Sequence, residues 1–340
     1  MTRGYSRRTH SPYVTDEGDS EMWISKRRVL YLFVFLLTVI FYSWIMPYVI
    51  SGDTEYYRRF YTQIGDYDTW SARMSFSLTQ IGSGEPVYMF LCYLCSKCIS
   101  YEWFITLANA VLAVLVSIVC TRGGVTRKGV FFLMLLLYSY YLIVLGTSSD
   151  RLKFAMIFLL TGYLWSSNCG SIVCLVVSCL TQVQVILLVF PIILFKYFSA
   201  KISFKYFKRV FLFSVLFVLI AIALWKLLSV YVLTKMDVYV SEGLNVSAFS
   251  KMLLFFLLTI AISHDRNLVI LSFLPLLFAA LILSVERVVI LGYFFYLAYQ
   301  ISVRRKITIP AWIITSYFVV QSVSFVGNIL KYGNGFLTSF

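Results

Sequence analysis

Residues 29 to 50, VLYLFVFLLTVIFYSWIMPYVI, carry no charged side chain over a length that crosses a bilayer, and runs of the same kind recur to about residue 326. Such segments are read as transmembrane helices, so the reading is an all-α polytopic integral membrane protein. The rest of the composition agrees. Of 340 residues, 60% are hydrophobic and only 13% are charged, with a mean hydropathy of +0.85. A water-soluble domain of this length carries far more charge. SKRR at 25–28 precedes the first run and no small-residue cleavage site follows it, so the run is expected to stay as the first span.

Lysine and arginine set the topology. The net charge is +14, and the basic residues gather in Arg3 to Arg8, Lys26-Arg27-Arg28, TRGGVTRKG (121–129), KYFSAKISFKYFKR (196–209) and VRRK (303–306). The positive-inside rule asks that all of these lie on the cytoplasmic side. Two adjustments achieve this. VYMFLCYLCSKCIS (87–100), short and carrying Lys97, is an outer re-entrant or interfacial helix rather than a crossing. The long run 171–195 turns back near TQVQ (181–184), giving two short helices, 170–181 and 183–195. Polar turns at membrane depth need a covering of protein or a watery cavity.

The expected order is then a basic cytoplasmic tail (1–28) and a transmembrane domain (29–326) with an outer loop at 50–102. An outer C-terminal tail (327–340) closes the chain. Spans fall near 29–49, 103–120, 130–146 and 152–168, then the short pair, then 210–229, 251–263, 267–284, 288–303 and 307–326. This makes about eleven crossings, with the N-terminus cytoplasmic.

Cys92, Cys95 and Cys98 have metal-like spacing, but no histidine or second cysteine pair stands nearby, so they are read as small hydrophobes on one helical face. His10 and His264 are too few and too far apart for a metal centre.

The informative cations are those left on the outer side, among them Arg58, Arg59, Arg73, Lys97, Arg151, Lys153 and Arg287. In GTSSDRLKFA (146–155) a guanidinium and an ammonium stand where one apolar run gives way to the next, and Arg287 in SVERVV has the equivalent place on another hairpin. Several such cations facing one cavity would grip a diphosphate, the guanidinium through paired bonds. The plainer alternatives pair Arg151 with Asp150 and Arg287 with Glu286, and let Lys153 snorkel to headgroups. The outer segment 51–88 mixes aromatics such as Tyr56, Tyr57 and Trp70 with carboxylates, which suits sugar. Asp53, Glu55 or Glu85 would take a proton from a hydroxyl, with Asp237 and Glu242 as weaker candidates. Its plainer reading is an interfacial aromatic belt.

With these residues placed, the chain resembles the EpsG/Wzy-type polysaccharide polymerases. The resemblance rests on SGDTEYYRRFY after the first span, GEPVY before a short helix, SSDRLKFA opening the fourth span, TQVQVILLVFP at the broken helix and ERVVILGYF near the end. Each motif is short, and the ordered set covers nearly the whole chain from about residue 30. Val87 stands where those families often have glycine, Leu152 and Lys153 follow Arg151 where they have glutamine, and Gln182 and Gln184 stand where a histidine is frequent. Glutamine orients a hydroxyl but takes no proton at neutral pH.

The resemblance implies a glycosyltransferase of lipopolysaccharide-type glycan biosynthesis in the bacterial inner membrane. It would move a growing glycan from undecaprenyl diphosphate to a hydroxyl of the next lipid-linked unit on the periplasmic face. Arg151 and Arg287 would hold the diphosphate, assisted by Lys153 and by Arg58 or Arg59. Asp53 or Glu85 would orient or deprotonate the acceptor, and Gln182, Gln184, Tyr56 and Tyr57 would bind substrate. No metal or other cofactor is implied. The partners would be the lipid-linked oligosaccharide, membrane lipid and a chain-length regulator in the membrane, with no nucleic acid. Two alternatives stand beside it: a related polyprenyl-linked-sugar glycosyltransferase or ligase using Asp53 and Glu55, and a transporter of lipid-linked glycan. The absence of a clear internal repeat, and charges gathered at the outer boundary, weigh against the transporter.

Overall fold

The computed structural model describes residues 17–165, 167–198, 246–263, 265–283, 286–302 and 307–336. Outside them lie the tail arginines, both histidines, the expected span 210–229, Asp237, Glu242 and VRRK. Within them the protein is all-α, with fourteen helices. Helix α1 (Glu17–Ile45) leads to three helices of the outer segment, α2 (Asp53–Gln63), α3 (Trp70–Ile81) and α4 (Pro86–Ser96). Then come α5 (Tyr101–Cys120), α6 (Arg127–Leu137), α7 (Tyr140–Ser148), α8 (Asp150–Leu164), α9 (Asn168–Thr181) and α10 (Ile186–Phe198). After the undescribed stretch follow α11 (Val246–Ile262), α12 (Arg266–Leu283), α13 (Glu286–Ser302) and α14 (Ile309–Tyr332).

Among the described residues, three helical stretches are long and apolar enough to cross a membrane: Lys26–Tyr48, Tyr101–Cys120 and Ile309–Tyr332. Helices α6 and α7 make a fourth if taken together. The outward faces of α1 and α14 are apolar at helical spacing, through Val29, Leu32, Leu36 and Ile40 on one and Ile313, Tyr317, Val320 and Val323 on the other. Val320 is 72% exposed. Stripes of this size that face outward suit lipid, which marks a multi-pass membrane protein.

Three expectations about the helices need correction. The expected single span near 130–146 is two helices, α6 and α7, bent by 46° at Tyr138–Ser139. The last helix does not stop at 326 but runs to Tyr332, where Gly333 (φ 75) closes it in the left-handed conformation that glycine adopts without a Cβ penalty. Cys98 lies beyond the end of α4 rather than on a shared helical face with Cys92 and Cys95.

The run 171–195 does break in the TQVQ segment, with Gln182 extended between α9 and a single turn of 3-10 helix.

The bundle has two distinguishable ends. Tyr31, near Lys26–Arg28, shares a 2.9 Å hydrogen bond with Thr121 of the TRGGVTRKG loop. Phe131 and Phe132, just past that loop, pack on Trp312 at the start of α14. Arg122 lies over the ring of Tyr163 at the close of α8, and Ser263 meets Tyr299 near the close of α13. All these residues mark one end. At the other, Gly333 accepts the backbone N–H groups of Ile50 and Ser51, and the α2–α4 unit sits beside the start of α8.

Candidate functional site

The site grows out of a buried helix end. Helix α7 stops at Ser148, Ser149 turns the chain, and α8 starts at Asp150. The last carbonyls of a helix have no partner within it, and a buried end needs one from nearby groups. Side chains supply it. Gly146 O accepts from Lys153 Nζ at 2.8 Å and from Asn109 Nδ2 at 3.0 Å. Thr147 O accepts from Thr54 Oγ1 at 2.7 Å, which fastens the start of α2 to the same point. Lys153 also donates to Asp150 Oδ1 at 3.2 Å, and Asp150 Oδ2 accepts from Tyr101 at 2.7 Å. Both ions of the Asp150–Lys153 pair are wholly buried. Lys153 therefore does not snorkel; it fills a bonding deficit left by the broken helix. Asp150, a carboxylate in the first turn, also suits the positive end of the α8 dipole.

Arg151 points the other way, toward the outer helices. Its Nη1 donates to Glu85 Oε2 and its Nε to the Tyr57 hydroxyl at 3.1 Å. The partner is not Asp150, which is already committed to Lys153 and Tyr101. The Arg151 and Glu85 side chains are 6% and 12% exposed. Glu85 gets there through the turn between α3 and α4. Gly82 (φ 58) ends α3 in the left-handed region, Ser77 donates to Ser83 O at 2.6 Å, and Pro86 starts α4 directly after the carboxylate. Ser83 Oγ donates to the same Glu85 oxygen as Arg151.

A second layer joins the two pairs. The Arg58 guanidinium lies 5.4 Å from the centroid of the Tyr101 ring and donates to Glu102 at 3.1 Å and to Val49 O at 3.1 Å. Tyr57 stacks edge-on against Tyr88. The register of α8 against α9 is antiparallel, with Ser171 on Gly162 O and Ser178 on Ala155 O. Carried on, it brings the Gln182 break level with Arg151. Gln182 is buried and donates to Gln184 Oε1 at 3.1 Å.

The structure thus brings Glu85, Arg151, Tyr57 and Lys153 into one neighbourhood, with Arg58 at its edge and Gln182 at its level. It does not bring in the rest. Asp53 is exposed in the first turn of α2, Tyr56 is 53% exposed, and Arg59 pairs with Glu55 at 2.8 Å on the surface. Arg287 starts α13, whose other end carries Tyr299, so its backbone lies at the same end of the bundle as Arg151. Its side chain is outside the described residues. Tyr101 and the carbonyl of Gly146 had no place in the sequence reading, and Asp150 had only that of a partner for Arg151. The signal for all three was the SS dipeptide before Asp150, a helix break that obliges nearby donors to turn inward.

No protein-family model, curated protein or solved structure matches the chain.

Proposed function

We propose that the chain is a polymerase of lipid-linked oligosaccharide repeat units in a bacterial inner membrane, working on the periplasmic face. The observation that carries this reading is the Glu85–Arg151–Tyr57 cluster, an ion pair built at the junction of a helix break and an outer helical segment in a chain that otherwise avoids charge. In this reading the cluster end is periplasmic and the end marked by Lys26–Arg28 and 121–129 is cytoplasmic. The about eleven crossings of the sequence reading complete the topology.

The chemistry assigned to the cluster is a displacement at an anomeric carbon. The acceptor hydroxyl oxygen forms the new bond to that carbon, and the bond from the carbon to the diphosphate oxygen breaks with its electron pair going to the diphosphate. Arg151 stabilises the charge that develops on the leaving group, helped by Arg287, and Arg58 serves at the rim. A diphosphate that arrives at Arg151 competes with Glu85 for the same donors. Glu85, released from the pair, accepts the hydroxyl proton. Gln182 orients the acceptor without taking a proton, and Lys153 with Asp150 holds the frame.

The test is complementation of a strain lacking its own gene, with glycans resolved on a gel and variant protein quantified in membranes. Arg151→Lys and Glu85→Gln keep a side chain of similar size at each position. Loss of the ladder to a single-repeat band in both, at normal protein levels, is the expected result. An unchanged ladder in both overturns the reading. Loss of every glycan band, single repeat included, overturns it in favour of transport or an earlier transferase.

A further inference from the structure

Away from the Arg151 cluster, on the outward side of the α3–α4 hairpin, two cations crowd one aromatic ring. The Arg73 guanidinium carbon lies 3.5 Å from the centroid of Tyr93, and Lys97 Nζ lies 4.1 Å from the same centroid. Lys97 also donates to the Tyr93 hydroxyl at 2.7 Å. Arg73 is fixed in place by two backbone carbonyls: its Nε donates to Tyr67 O at 2.7 Å and its Nη2 to Asp68 O at 3.1 Å. The four ion pairs among the described residues include neither Arg73 nor Lys97.

A ring face attracts a cation, but two cations on one tyrosine also repel each other. Lys97 is exposed, so solvent screens part of that repulsion, and a nearby negative charge would offset the rest. The hydrogen bond from Lys97, with the charge of Arg73 beside it, lowers the Tyr93 phenol from its ordinary value, the direction expected where positive charge is in excess. Among the described residues, the oxygens that bond these two cations are carbonyl and phenol oxygens.

Position says what kind of anion. Lys97 follows the last turn of α4 and stands just before Tyr101, where the membrane-length helix α5 begins. Around this level the surface is aromatic and apolar. Trp70 is 48% exposed, Phe90 49% and Trp103 52%. Tryptophans next to Lys and Arg at a helix end mark the headgroup level of a bilayer. A phosphate arriving there comes on a lipid. A fixed guanidinium with an exposed ammonium beside it matches a phosphate group.

We propose that Arg73 and Lys97, set on the ring of Tyr93, form a binding site for a lipid-borne phosphate at the membrane surface, separate from the Arg151 cluster. The site needs only that α5 crosses the membrane, and it stands whether or not Arg151 takes part in glycosyl transfer. Phosphate here holds the α3–α4 hairpin against the bilayer, and so holds the turn that delivers Glu85.

The experiment is native mass spectrometry of the full chain released from nanodiscs of phosphatidylcholine doped with phosphatidylglycerol in one arm and undecaprenyl phosphate in the other. Inorganic phosphate in solution forms a third arm. Wild type, Arg73→Gln/Lys97→Gln and Arg122→Gln are compared, the last removing a single ring-bound cation at the opposite end of the bundle. The expected result is one retained phospholipid or polyprenyl phosphate fewer on the double variant, with Arg122→Gln like wild type and both variants melting as wild type does. Dependence in the phosphatidylglycerol arm makes the ligand a bilayer lipid, and dependence confined to the other lipid makes it a polyprenyl chain. Equal retention by wild type and double variant in both lipid arms overturns the proposal. So does saturation of the site by inorganic phosphate alone, since that removes the lipid from the assignment. Loss of the lipid from Arg122→Gln as well overturns it in favour of general surface charge.

Discussion

Two pairs of ions face each other across one turn of chain and have opposite characters. Asp150 and Lys153 are both fully buried, and each has a further partner, Tyr101 for the one and Gly146 O for the other. Arg151 and Glu85 keep a small exposure on the side of the outer helices, and each is borrowed from a different part of the chain. The first pair exists because a helix broken inside an apolar bundle must find donors for its end carbonyls. The second solves no such problem: Arg151 caps nothing, and its partner comes from sixty-odd residues earlier, across a turn shaped by Gly82. Charges kept without a structural debt are the ones to suspect of chemistry.

The comparison breaks most visibly at the buried pair. Asp150→Asn leaves Lys153 charged among apolar groups, and removing one partner of a buried pair costs about 3–5 kcal/mol. The expected outcome is a large loss of folded protein, read as membrane yield and as the melting temperature in detergent. Combining Asp150→Asn with Lys153→Met removes both charges and is expected to recover a good part of the loss. If the single variant melts like wild type, the pair is not the strut described here. Next in size is Gly146→Ala. The added Cβ would clash with the Tyr42 hydroxyl, so the Tyr42 ring or the helices α1 and α7 must shift, at a cost of about 1–3 kcal/mol. Tyr42→Ala in the same chain is expected to relieve part of that, and a melting temperature unchanged by Gly146→Ala alone would show that the two helices have room to part. Glu85→Gln sharpens the other half of the contrast. It still offers an oxygen to Arg151 and is expected to cost less stability than Asp150→Asn while removing the glycan ladder.

The helices were legible because apolar length is written directly in the sequence, as in 29–50 and 103–120, and the break at TQVQ followed from asking that every basic loop share one side. The bend at Tyr138–Ser139 was not, since neither residue is a helix breaker by itself. At the site, Arg151 and Glu85 were each singled out, but their meeting depends on α2–α4 folding back over the start of α8, which no local pattern encodes. The role of Lys153 was misjudged for a related reason. A lysine near a span end snorkels when its path to the interface is open, and here it is wholly buried, held by Gly146 O and Asp150.

The smallest effects are expected on the rim, where the same helix α2 carries two adjacent arginines of different standing. Arg59 and Glu55 form an i, i+4 pair with side chains 57% and 47% exposed. Solvent screens such a pair, and Arg59→Ala is expected to change stability by no more than about 0.5 kcal/mol, less at high salt. Arg58 is 26% exposed and touches Glu102, Val49 O and the Tyr101 ring, so Arg58→Ala loses packing and a carbonyl partner as well as a charge. Its cost should fall between that of Arg59→Ala and that of Asp150→Asn. The melting temperatures of the three variants, taken at low and high salt, form one ordered series if burial decides what a charge is worth in this fold. Should Arg59→Ala prove as damaging as Arg58→Ala, burial is not the deciding quantity, and the contrast between the strut at Asp150–Lys153 and the cluster at Arg151–Glu85 loses its physical basis.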